Sequence, residues 1–213
     1  MDKIEPTHPW KLAIEALLMY IGLPILFYFD WLPVPKLLVL LLVAAYCGYQ
    51  LWQDSNFGKG LLRRSKNQQI SRTILLRSVV IAILIAAIVW LIQPDQLFYL
   101  PTHRPVLWMV IMVLYPILSA LPQEFIYRTY FFYRFDDLMT LKYSTVIVSA
   151  LAFSFLHIVY HNWMAVVLSF VAGLLFGTTY LQTKSLFWVT VEHAIYGCLV
   201  FTIGLGNFFY EHF

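Results

Sequence analysis

Apolar stretches long enough to cross a bilayer follow one another along almost the whole chain, and no other feature constrains its fold as much. A spanning helix needs roughly 20 mostly apolar residues. About seven such stretches can be bounded, at residues 10–29, 35–52, 73–92, 106–135, 143–160, 163–181 and 186–203. Hydrophobic residues make up 61% of the chain and charged residues 12%, about half the usual soluble share. A soluble domain of this size could not hide so much apolar surface from water. The expectation is an all-α, polytopic transmembrane helix bundle of about seven spans, forming one domain over residues 1–213 with no internal repeat. The first apolar run has no small-residue cleavage site after it and reads as an uncleaved signal anchor.

The placement of charge gives a topology. With the N-terminus in the cytoplasm, Lys3, Lys11, Lys59, Arg63, Arg64, Lys66, Arg72, Arg77, Arg128, Arg134, Lys142 and Lys184 fall on the cytoplasmic side or at helix ends beside it. Lys36 and Arg104 fall outside, an asymmetry that fits the positive-inside rule. The basic stretch at 53–72 suits topology and contact with anionic lipid. No basic tract is interleaved with aromatics, so nucleic acid is not an expected partner. Cys47 and Cys198 both sit in apolar runs and read as small hydrophobes.

Ionisable side chains inside a membrane are costly and by default face the protein interior, where they mark function. Here they gather in the C-terminal half: Glu124 and Arg128 on the fourth span, His157 late in the fifth, Glu192 and His193 in the seventh. Counting at about 1.5 Å per residue from the turn between spans four and five puts Glu124 and His157 at similar depth, roughly 20 Å in. His193 is shallower by that count, within what tilt can close. A carboxylate beside imidazoles can activate a water as general base, and a second donor can hold an oxyanion, which together are the parts for peptide hydrolysis. The same residues admit quieter roles. Glu124 and Arg128, one turn apart, could lock a helix kinked after Pro122. His157 could bond a carbonyl, and Glu192 could pair with a Lys or Arg. His161, four residues past His157, has metal-ligand spacing but sits in a turn beside Asn162 and reads as an interface residue.

In these residues the chain resembles the CPBP family of intramembrane proteases, which includes CAAX prenyl endoproteases, bacteriocin-processing proteins and Abi-type proteins. The family pattern is Glu-Glu-x-x-x-Arg, Phe-x-x-x-His and His-x-x-x-Asn/Asp, each on its own span. The corresponding runs are Gln123-Glu124-Phe125-Ile126-Tyr127-Arg128, Phe153-Ser154-Phe155-Leu156-His157 and His193-Ala194-Ile195-Tyr196-Gly197. They define a motif-bearing core over 106–203. The resemblance implies an endopeptidase acting in or near the bilayer on a peptide or membrane-protein substrate. Glu124 would activate water, Arg128 would orient the Glu124 carboxylate, His157 would share the water or polarise the carbonyl, and His193 would face the oxyanion. Glu124, His157 and His193 would also be the donors if a zinc ion were held, as the family's description as metalloproteases suggests. Small size and the Abi-like pattern point to a bacterial plasma membrane. Two positions depart: Gln123 stands where the family has its first Glu, and Gly197 where it has Asn or Asp. They leave a second reading open, a catalytically inactive scaffold, chaperone or immunity protein on the same frame. A small transporter is a third, without an inverted repeat to support it.

Overall fold

The computed structural model describes residues 9–54, 57–58, 68–139, 141 and 143–209. Among them every regular element is helical. Seven helices follow the seven apolar runs: α1 Trp10–Tyr28, α2 Lys36–Gln53, α3 Gln69–Ile92, α4 Pro105–Leu138, α5 Ser144–Tyr160, α6 Trp163–Thr183 and α7 Leu186–Ile203. Six have at least 18 residues, and α5 is the shorter apolar helix of the set. The protein is an integral membrane bundle. Lys3, Lys59, Arg63, Arg64, Lys66 and Lys142, which carry much of the charge asymmetry, lie outside the described residues.

Two helices extend three or four residues beyond their apolar runs. Helix α3 starts at Gln69 rather than at 73, and α4 continues to Leu138 rather than to 135. Hydropathy marks only the hydrocarbon-facing part of a helix, and polar residues can continue the same hydrogen-bonded ladder where water reaches them. The turn between α5 and α6 is set locally. His161 takes a left-handed conformation (φ 51°), and the Asn162 side chain accepts the Met164 N–H at 2.9 Å, capping α6.

Helix α4 is irregular where the first motif lies. Pro116 and Pro122 each lack an N–H and crowd the preceding turn. The helix widens into π-type turns over Pro116–Ala120 and Phe125–Tyr130 on either side of the short α-helical piece Leu121–Glu124. Such turns are concentrated at functional sites in general.

Small residues decide how closely α5 and α6 pack. A Cβ at Gly173 would come 3.0 Å from Ala150 Cα, and one at Gly177 would come 2.9 Å from Val146 Cγ1. Close backbone approach of this kind is how helices gain packing in lipid, where apolar burial alone gives no drive. On the outside, Leu75, Ile83, Trp90, Val113 and Leu151 are exposed, the pattern of a lipid-facing surface. Inside, Tyr20, Tyr127, Phe131 and Phe135 meet edge to face and tie α1 to α4.

Candidate active site

Glu124 is the centre of a buried polar cluster. It is fully buried, and its two oxygens face two different partners. Oε1 lies 2.7 Å from His193 Nδ1 across the α4–α7 contact, and Oε2 lies 3.2 Å from Arg128 Nε on its own helix. The first is a hydrogen bond. The second has the distance of an ion pair without hydrogen-bond alignment, so it acts as Coulomb attraction. The π-type turns place Arg128 below Glu124 and against α6. Its Nη2 donates to the Gly173 carbonyl at 3.1 Å, which the glycine packing brings within reach. Its guanidinium lies 4.5 Å from the centre of the Phe153 ring and 5.4 Å from that of Phe176. Ring faces replace some of the solvation that burial removes from the cation.

The aromatic of the second motif organises the two histidines. Phe153 meets His157 at 4.8 Å and His193 at 5.5 Å, both edge to face, while Phe176 stacks on His193 at 4.7 Å. His157 Nδ1 is 2.8 Å from the Phe153 carbonyl. A carbonyl only accepts, so Nδ1 carries the proton and Nε2 of the neutral ring presents a lone pair. His193 has the same tautomer for a different reason: its Nδ1–H is given to the Glu124 carboxylate. Its Nε2 is 2.9 Å from the Tyr115 hydroxyl, which donates to it when the ring is neutral.

A cavity of about 420 Å³ lies beside this cluster. Its polar wall is Tyr115, Ser119 and Gln123 from α4, His157 and Tyr160 from α5, Ser169 from α6, and His193 and Tyr196 from α7. Apolar residues close the rest, most of them from α3, α6 and α7. Of these, Leu84 and Val171 are also more than half exposed on the outer surface, so the cavity meets the lipid-facing side between α3 and α6. Glu124 does not border it; Gln123 does. The Gln123 Nε2 donates to Ser119 Oγ at 2.8 Å, and its Oε1 is buried without a partner among the described residues.

The structure thus brings Glu124, Arg128 and His193 into one bonded chain and sets His157 across Phe153 from it, on the same cavity. Glu192 points elsewhere. Its Oε1 is 3.2 Å from Arg77 Nη1 on α3 and accepts the Tyr196 hydroxyl at 2.8 Å, so it is the buried carboxylate of a separate, partly exposed ion pair. His161 stacks on Tyr28 at 4.6 Å, as an interface histidine would. The site residues that sequence reasoning missed are Tyr115 and Ser119. Together with Gln123 they recur at every fourth position along one face of α4, a polar stripe in an apolar run.

The three donors suggested for zinc are not arranged as a metal site. Both His193 nitrogens and both Glu124 oxygens face other protein groups, which leaves His157 Nε2 as the one ring nitrogen of the set without a described partner. Among the described residues no three His, Cys, Asp or Glu side chains come together closely enough to hold an ion.

Residues 105–199 match the family model Rce1-like, described as Type II CAAX prenyl endopeptidase Rce1-like. This segment is similar to an Rce1-like, CPBP-type core. The match begins at the first residue of α4 and ends within α7, so it contains all three motifs and every polar residue of the cavity wall named above. Helices α1 to α3 lie outside it, yet α3 supplies one wall of the cavity. No curated protein and no solved structure matches the chain.

Proposed function

We propose that this protein is an intramembrane endopeptidase of the CPBP type in which His157 replaces the glutamate base, while Glu124 holds the neighbouring His193 in place. The observation that carries the reading is the 2.7 Å bond from His193 to the buried Glu124, with His193 and His157 both facing the cavity of an Rce1-like core. The Glu124 carboxylate holds His193 in one tautomer and orientation, and Arg128 holds that carboxylate in place. His157 Nε2 is the free lone pair on the cavity and accepts a proton from water as the oxygen adds to the substrate carbonyl. The tetrahedral intermediate then breaks its C–N bond, and the proton on His157 passes to the departing nitrogen. An apolar cavity strengthens each of these charge interactions by excluding bulk water.

The opening between α3 and α6 suits a substrate already in the bilayer, either a membrane-protein segment or a peptide carrying a lipid. With the N-terminus in the cytoplasm, as the charge distribution favours, the α5–α6 turn and Tyr160 fall in the outer half of the membrane. A bacterial plasma membrane is the setting that fits this orientation. The name of the matched family makes a farnesylated CaaX peptide the first substrate to try.

The test is cleavage of such a peptide by protein reconstituted in liposomes. Wild type should release the C-terminal fragment, and His157→Ala and Glu124→Gln should not. Gln123, a neutral side chain in the cavity wall, favours a second reading as a non-catalytic peptide-binding scaffold. Tight binding of the peptide with no cleavage, unchanged by His157→Ala, would select that reading.

A further inference from the structure

The reaction above lacks one part, and it rests on which atoms remain to supply it. Hydrolysis builds negative charge on the carbonyl oxygen, and a donor aimed at that charge is worth a large share of the rate. His193 cannot be that donor while neutral. Its one N–H is committed to Glu124, so its cavity-facing Nε2 offers a lone pair. Gly197, one helical turn further along α7, has no side chain to donate with.

The space above Gly197 is filled from another helix. A Cβ built at Gly197 would overlap Cε1, Cζ and Oη of Tyr115. The Tyr115 phenol therefore occupies the volume that a residue at 197 would use, and its hydroxyl sits 2.9 Å from His193 Nε2 on the cavity wall. The ring is fixed edge to face against both His193 (5.9 Å) and Phe201 (5.6 Å), so the hydroxyl is held in one place. A phenol is a neutral donor that stays protonated across the working pH range.

We infer that Tyr115 is the catalytic donor that position 197 lacks: its hydroxyl crosses from α4 into the space over Gly197 and hydrogen-bonds the developing oxyanion. In the resting site the hydroxyl donates to His193 Nε2. When the carbonyl oxygen becomes charged, the O–H turns to the stronger acceptor, and no covalent bond to Tyr115 forms or breaks. Glycine at 197 and tyrosine at 115 are thus one device: the absence of a side chain at 197 is what lets the ring in.

The inference depends on the endopeptidase reading, and the experiment separates the two. Wild type, Tyr115→Phe, Tyr115→Ala, Gly197→Asn and the Tyr115→Ala/Gly197→Asn pair are assayed on the farnesylated peptide in liposomes. Tyr115→Phe keeps the ring and should lose about 10²–10³ in kcat with KM within about two-fold. Gly197→Asn alone should lose activity through overlap with the ring. The pair should regain at least about ten-fold in kcat over Tyr115→Ala, because the asparagine then has room to donate. Wild-type kcat in Tyr115→Phe, or a loss confined to KM, overturns the inference and leaves the endopeptidase reading standing. A wild type that cleaves nothing removes that reading. That outcome also removes the oxyanion role, and the resting-site part of the inference, the Tyr115 hydroxyl donating to His193 Nε2, is then judged by ¹⁵N-histidine NMR in nanodiscs. A His193 Nε2 resonance that moves toward the free, unbonded nitrogen in Tyr115→Phe supports it, and an unmoved resonance overturns it.

Discussion

His193 Nδ1 donates a 2.7 Å hydrogen bond to Glu124 Oε1, joining a fully buried carboxylate on α4 to an imidazole that borders the cavity from α7. The carboxylate itself has no face on the cavity. Its influence on a substrate must pass through the histidine, whose ring it holds in one orientation.

Removing that carboxylate should cost stability as well as activity. Glu124→Gln leaves the Arg128 guanidinium buried without its counter-ion, and breaking a buried pair from one side destabilises by about 3–5 kcal/mol. The expected result is a clear fall in the thermal midpoint in detergent. Adding Arg128→Met to Glu124→Gln should recover much of that midpoint and none of the cleavage.

His157 should separate activity from fold. Its one described hydrogen bond is to the carbonyl of its own helix four residues back, and it carries no ion pair. His157→Gln should lower kcat by at least about 10², with a thermal midpoint close to wild type. Because Nε2 must be unprotonated to accept a proton, kcat/KM in wild type should fall toward acid with a one-proton slope.

Restoring the family's acid should help a chain built on histidine. Gln123 already borders the cavity, and its Oε1 lacks a partner among the described residues. Gln123→Glu replaces an amide by a near-isosteric carboxylate that can itself accept a proton from water. Cleavage should rise, and in the His157→Gln background some activity should return. No rise in either background would argue against water binding on this wall.

The α5–α6 seam should tolerate almost nothing. Gly173→Ala puts a methyl against Ala150 Cα, so the helices must part by a few tenths of an ångström, and overpacking of this sort costs about 1–3 kcal/mol. It also moves the Gly173 carbonyl that accepts from Arg128. Denaturant titration in mixed micelles should show the loss, and activity should fall with it.

Chelation should leave cleavage unchanged. The nitrogens of His193 and the oxygens of Glu124 are already engaged by Tyr115, Arg128 and each other, so a metal would have to break that chain to bind. Loss of activity with a strong chelator, restored by zinc, would show that the chain does break.

Much of this was legible in one dimension. Span count and helical class follow from hydropathy, because a chain this apolar must satisfy its backbone within each helix to survive in lipid. Glu124, Arg128, His157 and His193 stand out for the same reason: each is a costly residue in an apolar run. Glu192 stands out equally, and nothing in its spacing says that it turns to Arg77 while its neighbour turns to Glu124. That choice is made by the angle of about 100° between successive residues, which aims them at different helices. Tyr115 was hidden because a tyrosine in a membrane span costs little and the chain has 14 of them.

The sequence by itself determined that this chain lies in a membrane, that its polar chemistry gathers on three spans, and that two positions of the expected pattern are missing. Only the tertiary structure decided what the missing positions mean. Local sequence fixes which residues a helix carries and their order around it. Whether a phenol from α4 fills the space above a glycine on α7, or a carboxylate faces an imidazole instead of a cavity, depends on how helices far apart in the chain cross. Those crossings are set by packing of small residues and bends at prolines, which no single span encodes.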